Sequence, residues 1–477
     1  MLHLPILRAG VEYRSVETAV LPHVATGKPV AEVSQANRGL IARDLLAAPQ
    51  RRARLASIPA RELAAISRRA AALFATAELP FYGGVQSPTD FVRQQSSTTG
   101  MPEALCRANL EKVRYVLAEV EQVIGGLTRG LDLSLLDAGV GTQDGWTLSY
   151  LPQADALGCI LPGNSPGVHS LWAPAIALKM PLVLKPGRLE PWTPHRVAQA
   201  FLAAGCPPEA FCLYSTDHAG GTEILLRTGR SMLFGDASTL NPWRDDPRVQ
   251  LHGPGWSKVL LGPDEAERWE SHLDLMATSI AANGGRSCVN ASGVWVPGRG
   301  KQIAEALAER LVRIQARRLD DPEARLCAFP DARLARAISD NIDRLLVVPG
   351  AEDVTARVRG TGRVAEAGGC TFLLPTVIHC EDPEHPLVAC EFLFPFATVV
   401  EAPAEQMARR IGPTLVATAL THDAAFRQAL FACPDIDRLN LGSVPTSTVV
   451  WDQPHEGNLF DHLYRRRAVQ DLAAASA

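Results

Sequence analysis

The chain has 477 residues, a formal net charge of −4 and 47% hydrophobic residues, an ordinary composition for a globular protein of roughly three domains. Without a basic excess, binding to nucleic acid or to an anionic membrane is not expected, and no window approaches the roughly 20 apolar residues that span a bilayer. Ten cysteines without a CxxC pair exclude zinc-site spacing and, in a large chain with no signal peptide, indicate a reducing, cytoplasmic compartment.

Helices are predicted in the first part of the chain. Residues 35–75 are rich in Ala, Arg and Leu at helical spacing, and residues 101–124 carry a similar apolar stripe. Such stripes are typical of helices that pack against a core. After Leu131 the pattern changes, and SLLDAGVGTQDGWTLSYLPQ predicts two strands around a Gly-containing turn. This segment is therefore interpreted as a hairpin.

Strands and helices then alternate. The strand ALGCIL is followed by a Pro/Gly loop, a helical stretch and the strand PLVLKP, and the alternation continues through FCLYS to SMLFG. This spacing predicts right-handed βαβ units, and the continuous apolar strands predict a parallel sheet covered on both faces. A second series runs from about Lys258 to Val400, followed by LNLG, TSTVVW and QPHEGNL. The predicted fold is α/β with two lobes and a projecting hairpin, with a ligand at the carboxyl ends of the first lobe's strands.

Three motifs carry candidate chemistry. Cys288 lies in NGGRSC, a loop whose amides could face an oxyanion and in which Arg286 would favour the thiolate. Asn164 lies in LPGNSPGV directly after an apolar strand, and its amide could donate to the same oxyanion. Lys185 ends the strand of VLKPGR, where a cation suits a phosphate or ribose hydroxyls. Each motif alone also fits a buried cysteine, a turn asparagine or a surface lysine, so the combination decides.

The order of these motifs resembles the aldehyde dehydrogenase superfamily from about Leu79 to the C-terminus. The segment LPGNSPGVHSLWAPAIALKMPLVLKP resembles the family's strand, Pro-x-Asn loop, helix and Lys-Pro, and FGD resembles its Phe-x-Gly-Ser segment. NGGRSC resembles the Asn-x-Gly-Gln-x-Cys nucleophile motif. TFLLPTVI resembles the Tyr/Phe-x-x-Pro-Thr strand, and EFLFP the Glu-x-Phe-Gly-Pro segment. Five matches in order identify the chain as a member of that superfamily.

The resemblance implies a Rossmann-like cofactor domain (1–130 and 151–250) and a catalytic domain of similar topology (251–435). It implies NAD or NADP as cofactor, Cys288 as the nucleophile that attacks a carbonyl carbon, and Asn164 with the Cys288 amide as the oxyanion donors. The cofactor-binding residues that it implies are Leu161, Pro162, Lys185, Arg188, Phe234, Gly235, Asp236, Gly255, Glu391 and Leu393.

Subunit association is also implied by the resemblance. An oligomerisation hairpin and tail are expected at 131–150 and 436–477. In the family, exposed strand edges pair across subunits. The hairpin and a tail strand near 446–451 are therefore expected to form a homodimer or homotetramer.

The largest departure from the family pattern lies in VQLHGPGWSK. The family's aldehyde oxidisers carry here a Glu that activates water to hydrolyse the thioester. His252 stands in its place, and no Asp or Glu occurs from Leu251 to Gly262. Slow hydrolysis favours another acceptor, such as coenzyme A, as in acylating aldehyde dehydrogenases and the long-chain acyl reductases of bioluminescent bacteria. The sequence therefore favours interconversion of an aldehyde and an acyl thioester.

Two other functions are compatible with the sequence. In a hydrolytic aldehyde oxidiser, His252 would act as the base, since a neutral imidazole can do so near neutral pH. His455 and Glu456 of the QPHEGNL loop are further candidates, although a capped turn at a subunit contact is the more ordinary role for that loop. A catalytically inactive scaffold is the second alternative, against which the complete set of three motifs argues.

The segment KPGRLE bears on which dinucleotide is used. The family often has a Glu two residues after Lys-Pro, which holds both adenine-ribose hydroxyls and repels a 2′-phosphate. Arg188 occupies that place and could pair with a 2′-phosphate, so NADP is slightly favoured, although Glu190 could take the hydroxyls instead. For the substrate, the sequence offers three apolar candidates that could equally belong to the core: Trp172, Trp451 and Phe460.

Overall fold

The computed structural model describes residues 1–470, which form two α/β lobes and a smaller antiparallel sheet. The strands of the first lobe and the hairpin are β1 (Leu2–Leu4), β2 (Ile6–Arg8), β3 (Val11–Tyr13), β4 (Thr18–Pro22), β5 (Pro29–Ser34), β6 (Leu79–Phe81), β7 (Gly84–Gln86), β8 (Val140–Gln143), β9 (Trp146–Pro152), β10 (Ala156–Ile160), β11 (Leu182–Lys185), β12 (Phe211–Leu213), β13 (Gly229–Phe234) and β14 (Val249–His252). The helices of this part are α1 (Arg38–Leu45), α2 (Ala48–Ala56), α3 (Ala60–Thr76), α4 (Pro88–Thr99), α5 (Glu103–Ala118), α6 (Val120–Leu127), α7 (Leu135–Ala138), α8 (His169–Trp172), α9 (Trp192–Ala203), α10 (His218–Arg227) and α11 (Ala237–Leu240).

The second lobe and the tail follow. Their strands are β15 (Ser257–Leu261), β16 (Ala291–Val296), β17 (Ala351–Asp353), β18 (Val364–Ala367), β19 (Cys370–Leu373), β20 (Thr376–Cys380), β21 (Phe396–Glu401), β22 (Thr414–Leu420), β23 (Ile436–Leu441) and β24 (Tyr464–Arg466). Their helices are α12 (Leu273–Ala281), α13 (Gly300–Leu311), α14 (Ala332–Leu346), α15 (Val354–Arg359), α16 (Ala404–Arg410), α17 (Ala424–Phe431) and α18 (Leu459–Leu463). Within residues 1–470, no helix combines the length and apolarity that a membrane crossing requires.

The first lobe contains a seven-stranded sheet in the order β14-β13-β10-β11-β12-β2-β3. Strands β10 to β14 run parallel, and β2 and β3 add an antiparallel edge. The chain leaves β10 towards β11 on one side and returns to β13 on the other. The order therefore reverses between β10 and β13, which is where open α/β sheets bind ligands. This confirms the predicted parallel sheet.

The second lobe repeats the plan in the order β17-β20-β21-β16-β15-β22-β23, with only β17 antiparallel. Side chains of β15 alternate between two apolar clusters, with Leu260 in one and Val259 and Leu261 in the other. Both faces of the sheet are therefore covered, which explains the uninterrupted apolar run in the sequence. Since β23 is the edge strand of this sheet, the predicted domain boundary at residue 436 lies too early in the chain.

The hairpin is formed by β8 and β9, and β24 pairs antiparallel with β9. The start of the predicted hairpin is wrong, because Leu135–Ala138 forms a short helix that ends at Gly139 with a φ of 74°. Within the single chain, residues 446–451 form no strand. The Thr446 amide donates to Ser279 Oγ at 3.1 Å. Pairing of this segment with another subunit stays a prediction.

Candidate active site

Cys288 lies in a tight loop between α12 and β16. The three residues that open this loop have left-handed backbone conformations, with φ of 53° at Asn283, 66° at Gly284 and 70° at Gly285. A Cβ atom on Gly285 would lie 2.3 Å from the backbone carbon of Phe394. Only glycine fits there, because both the φ value and the space exclude a side chain. The sequence NGG therefore sets the turn that presents the cysteine.

The backbone of Cys288 is held from the start of β15. Ser257 Oγ donates to the Cys288 carbonyl at 2.8 Å. A Cβ atom on Gly255 would lie 1.9 Å from the same carbonyl oxygen. Gly255, predicted to bind the cofactor, thus packs against the backbone carbonyl of Cys288. Its role in the structure is to let the two segments approach.

Asn164 follows β10 and reaches the nucleophile loop. Its Nδ2 donates to the Arg286 carbonyl at 3.0 Å. Nearby, Asn109 Nδ2 donates to Asn283 Oδ1 at 2.7 Å, and Asn283 Nδ2 donates to Ser165 Oγ at 3.1 Å. These bonds tie α5, the Asn164 loop and the nucleophile loop together across the two lobes. Because an amide nitrogen has two hydrogens, Asn164 keeps one that can reach an oxyanion.

Arg286 does not activate Cys288, so that expectation is wrong. Its buried guanidinium donates to the carbonyls of Thr99, at 2.8 Å, and Ala328, and it lies 5.6 Å from the centre of the Phe329 ring. Its charge therefore faces away from the nucleophile and braces the loop from behind.

Among the described residues, the groups that shift the pKa of the Cys288 thiol include no cation. Burial raises its pKa well above the usual value, and the carboxylates of Glu456 and Glu391 raise it further. The thiol is therefore protonated at neutral pH in this arrangement. A neighbouring group has to take its proton before it can act as a nucleophile.

His252 ends β14 and pairs with the tail. Its ring stacks on Phe234, with centroids 4.3 Å apart and an interplanar angle of 14°. Nδ1 hydrogen-bonds to Glu456 Oε2, while Nε2 is enclosed and has no partner among the described residues. His455 and Glu456 both line the cavity beside Cys288. The QPHEGNL loop, expected to be a turn at a subunit contact, therefore forms part of the site.

Cys288 lies where two cavities meet. The larger cavity, of about 450 Å³, lies at the carboxyl ends of β10 and β13 and is lined by residues that include Asn164, Phe234, His252, Glu391 and Glu456. The smaller cavity, of about 220 Å³, opens on the other side of the cysteine, and its lining includes Lys112, Ser165, Leu171, Thr448 and Trp451. The nucleophile can therefore be reached from a cofactor side and from a separate side.

The larger cavity brings together six of the residues predicted to bind the cofactor: Pro162, Phe234, Gly235, Asp236, Glu391 and Leu393. Leu161 does not line it, because its side chain is buried in the core and its amide donates to the Lys185 carbonyl at 2.8 Å. Lys185 lies farther out, at the end of β11, where burial lowers its pKa and Asp217 opposes that effect.

Two charged residues follow β11, and they differ in burial and in hydrogen bonding. Arg188 is exposed and has no ion-pair or hydrogen-bond partner within residues 1–470. Glu190 is 1% exposed, accepts from the Thr193 amide at 3.0 Å and lies 2.9 Å from His169 Nε2. Glu190 is therefore held inside the protein, and the idea that it could take ribose hydroxyls is wrong. Arg188 remains available to a ligand.

Glu391 and Asp236 face the larger cavity with different charges. The Glu391 carboxylate accepts from the amides of Gly255, at 3.2 Å, and Trp256, at 2.6 Å, and burial raises its pKa to about 7. Asp236 caps α11, where the Ser238 hydroxyl and the Thr239 amide lower its pKa. An ionised carboxylate thus occupies the helix terminus at which a pyrophosphate would otherwise bind.

These residues fit a nicotinamide dinucleotide in most respects. The cavity lies at the reversal of strand order, Glu391 can accept from ribose hydroxyls, and Arg188 is free to meet a phosphate. Asp236 is the exception, so the pyrophosphate has to avoid the start of α11. Within the described part of the chain, no three His, Cys, Asp or Glu side chains cluster as metal ligands.

The aromatic candidates separate clearly. Trp451 lines the smaller cavity. Trp172 is fully buried and donates from Nε1 to His169 Nδ1 at 3.2 Å, and Phe460 packs between Tyr150 and Tyr464. Only Trp451 can therefore contact a substrate.

A half-buried cysteine and a carboxamide line one cavity between two α/β lobes, at the carboxyl ends of a parallel sheet, an arrangement typical of a cysteine-dependent oxidoreductase. The model of the Aldehyde dehydrogenase family matches residues 12–412. The chain belongs to the aldehyde dehydrogenase family and is an NAD(P)-dependent oxidoreductase of that type.

Solved structures share the fold over almost the whole chain. Succinate-semialdehyde dehydrogenase from Burkholderia pseudomallei is 19% identical, with a TM-score of 0.77 and coverage of 98% of this chain and 97% of that one. An NADP-dependent enzyme of E. coli is 17% identical, with a TM-score of 0.77 and 98% coverage of each chain. A 3,6-anhydro-L-galactose dehydrogenase in complex with NAP is 14% identical, with a TM-score of 0.75 and coverage of 98% and 99%. At these identities the likeness shows the fold alone.

Proposed function

We propose that this enzyme interconverts an aldehyde and an acyl thioester, passing the acyl group between Cys288 and a thiol such as coenzyme A. The observation that carries the proposal is the environment of residue 252. The segment after β14 holds no carboxylate, and His252 has Nδ1 bonded to Glu456 and Nε2 enclosed. No free base on this segment faces the acyl group on Cys288, so water is a poor acceptor.

The chain's own residues support the covalent steps. The Cys288 sulfur attacks the carbonyl carbon, and its proton passes to the Glu456–His252 pair, whose carboxylate is close enough to raise the thiol's pKa. Asn164 Nδ2 and the Cys288 amide hold the oxyanion. A nicotinamide dinucleotide held in the larger cavity, beside Phe234 and Glu391, would supply the hydride-transfer chemistry. A thiolate then attacks the acyl carbon, a new thioester bond forms, and the Cys288 thiolate leaves.

The test compares acceptors at steady state. Aldehyde oxidation is measured with NAD⁺ and with NADP⁺, with and without coenzyme A, alongside NAD(P)H oxidation by acyl-CoA thioesters. The proposal predicts a rate that rises with thiol concentration and measurable acyl-CoA reduction. Fast formation of the free acid, indifferent to thiols, would reject it.

A hydrolytic aldehyde dehydrogenase is the second candidate, and the position of Glu456 favours it. This carboxylate lines the larger cavity and could activate water once its bond to His252 opens. In that case Glu456→Gln would abolish acid formation and leave thiol-dependent turnover intact. If Glu456 serves only Cys288, both activities fall together.

We also propose a preference for NADP(H). Arg188 is exposed and unpaired within the described range, whereas Glu190 is bound to His169 and Thr193. A free guanidinium can form two parallel hydrogen bonds to a 2′-phosphate. Two of the structural neighbours, the E. coli enzyme and the complex with NAP, are described with this type of cofactor.

Finally, we propose that the hairpin mediates association into a homodimer or homotetramer. Trp146 on β9 is 70% exposed and Val140 on β8 is 41% exposed, so this sheet presents apolar surface beside an open edge. Light scattering that gives a monomer at micromolar concentration would contradict this. All ten cysteines are unpaired, which fits the reducing, cytoplasmic compartment that we propose.

A further inference from the structure

The smaller cavity contains a lysine that the chemistry described so far does not use. Lys112 lies on α5 and lines both the smaller cavity and an outer cavity of about 460 Å³, bounded by residues that include Arg114, Tyr115 and Trp451. The two cavities share Lys112, Val449 and Trp451. The two cavities therefore adjoin at these three residues, and Cys288 lines the smaller one.

The position of Lys112 follows from the face of α5 on which it lies. Asn109, one turn earlier on the same face, bonds to Asn283 of the nucleophile loop at 2.7 Å. The stem of Lys112 passes over Gly167, where a Cβ atom would lie 3.8 Å from Lys112 Cδ. The helix that bonds to the nucleophile loop therefore also places Lys112 in the wall of the smaller cavity.

Lys112 has no partner of opposite charge. It forms no hydrogen bond or ion pair among residues 1–470, and burial alone lowers its pKa. Lys112 is an exposed residue that lines both the smaller cavity and the outer cavity. An ammonium without an acidic partner can form a charge-assisted hydrogen bond to an anion that enters the cavity.

The other charged groups that line the two cavities do not neutralise Lys112. No residue lining the smaller cavity is acidic, and His455 is neutral there because burial lowers its pKa to about 4. In the outer cavity, Glu111 is already bonded to Arg114 Nε at 2.6 Å. Asp452 also lines the outer cavity, but it is not among the groups that shift the Lys112 pKa. The lining of the smaller cavity therefore contains one cation, Lys112, and no carboxylate.

The size of the smaller cavity limits what can fill it. At about 220 Å³ it is smaller than the roughly 300–1,000 Å³ of pockets for drug-sized ligands. Hydroxyls of Ser287, Ser447 and Thr448 line it together with the apolar side chains of Val449 and Trp451. One cation with a few hydroxyls suits a single carboxylate, and the apolar wall suits a short methylene chain.

We propose that Lys112 binds a terminal carboxylate of the substrate, so that the enzyme acts on short aldehydes, or the matching acyl thioesters, that carry a carboxylate at the far end. The inference rests on the proposed function only in placing the reacting carbonyl at Cys288. Lys112 is then a specificity-determining residue, because it selects the substrate and takes no part in bond formation.

The test has a kinetic arm, run as aldehyde oxidation with saturating coenzyme A. It compares carboxylate-ended aldehydes of increasing length with methyl-ended, amine-ended and phosphate-ended aldehydes of equal length. Wild type should favour the carboxylate series. Lys112→Met should raise KM for that series roughly 10- to 100-fold, the effect of one charged hydrogen bond, and leave kinetics with methyl-ended aldehydes unchanged. Lys112→Arg should retain most of the preference, and Lys112→Glu should shift it to the amine-ended series.

A binding arm separates this inference from the proposed function. Calorimetry with glutarate and the enzyme loaded with NAD(P)⁺ requires no turnover and no thiol. Wild type and the control Lys301→Met, an exposed lysine outside both cavities, should bind glutarate, and Lys112→Met should not. Binding that Lys112→Met leaves unchanged would overturn the inference even if thiol-dependent turnover is confirmed. No carboxylate preference in wild type, a stronger preference for phosphate-ended aldehydes, or equal losses across all series would overturn it as well.

Discussion

Two regions beside the parallel sheets are held in different ways. One is the nucleophile loop, residues 283–288, and the other is a group of charged residues near the predicted cofactor site, here called the rim: Lys185, Arg188 and Asp236. The loop around Cys288 is tightly constrained. Three of its residues have positive φ values, and its glycines leave no room for a Cβ atom. The rim consists of charged side chains, and one of them, Arg188, has no hydrogen-bond or ion-pair partner within the described residues. The backbone thus holds Cys288 rigidly, whereas the proposed preference for one cofactor depends on side chains that a single substitution can change.

This contrast predicts large, general effects in the loop and smaller, selective effects at the rim. The largest is expected from Cys288→Ala, which should lower turnover on the order of 10⁴-fold or more while the fold and cofactor binding persist. Rates, circular dichroism and dinucleotide titration measure this. Cys433→Ala, a half-buried thiol far from both cavities, is the control and should keep wild-type activity. Near wild-type turnover in Cys288→Ala would remove the basis of the mechanism.

Next in size is Asn164→Ala. Its amide lies beside the nucleophile loop, and the loss of one oxyanion donor typically costs 10²–10³ in kcat. Steady-state kinetics should show this loss in kcat, with little change in KM. A change confined to KM would instead mean that Asn164 only positions the substrate.

Gly285→Ala tests how rigidly the loop is held. A methyl group there meets the backbone of Phe394 and requires a left-handed conformation, which together should destabilise the enzyme by about 2–5 kcal/mol. Thermal unfolding and activity should both report the damage. Gly362→Ala is the matched control, since it has open space and no positive φ. Equal melting temperatures for the two variants would show that the loop tolerates movement.

At the rim, Arg188→Ala should act on one cofactor only. We expect kcat/KM with NADP(H) to fall roughly 10-fold or more, the effect of one lost charged contact, while values with NAD(H) stay nearly constant. Lys301→Ala provides a control for a general change in charge. A strong preference for NAD(H) in wild type, unaltered by Arg188→Ala, would show that this guanidinium does not contact the phosphate.

The smallest effect is a pH dependence of stability from Glu391. Its pKa is raised to about 7 in the folded protein from an ordinary value of 4.5, so the folded state binds its proton more tightly than the unfolded state. Its contribution to stability is therefore present at low pH and is lost as the pH rises from about 4.5 to about 7. Melting temperatures of Glu391→Gln should fall less steeply across that window than those of wild type. Parallel profiles would contradict this.

The sequence predicted those features that depend on local pattern. Alternating apolar strands and helices predicted both parallel sheets, and the small-residue loop NGGRSC predicted a tight turn at Cys288, which the structure contains. In contrast, Arg286 was misinterpreted, because proximity in sequence says nothing about which side of a loop an arginine occupies. The structure places its charge on the Thr99 and Ala328 carbonyls instead.

Contacts between distant segments were the least predictable. The Glu456–His252 pair joins positions 204 residues apart, and nothing local in QPHEGNL distinguishes it from a surface turn. In the sequence, Lys112 likewise cannot be distinguished from the other charged residues of an amphipathic helix. Only the structure shows that it lines a cavity. The strand predicted for TSTVVW depends on a partner subunit, so the single chain does not test it.

We propose above that the acyl group on Cys288 is transferred to a thiol and is not hydrolysed by water. Intact-protein mass spectrometry tests it directly, after the enzyme has reacted with an aldehyde and NAD(P)⁺ in the absence of thiols. We predict that an acyl adduct accumulates on wild type but not on Cys288→Ala, and that it disappears when coenzyme A is added, with formation of acyl-CoA. An adduct that decays to free acid at the turnover rate without any thiol would contradict the account.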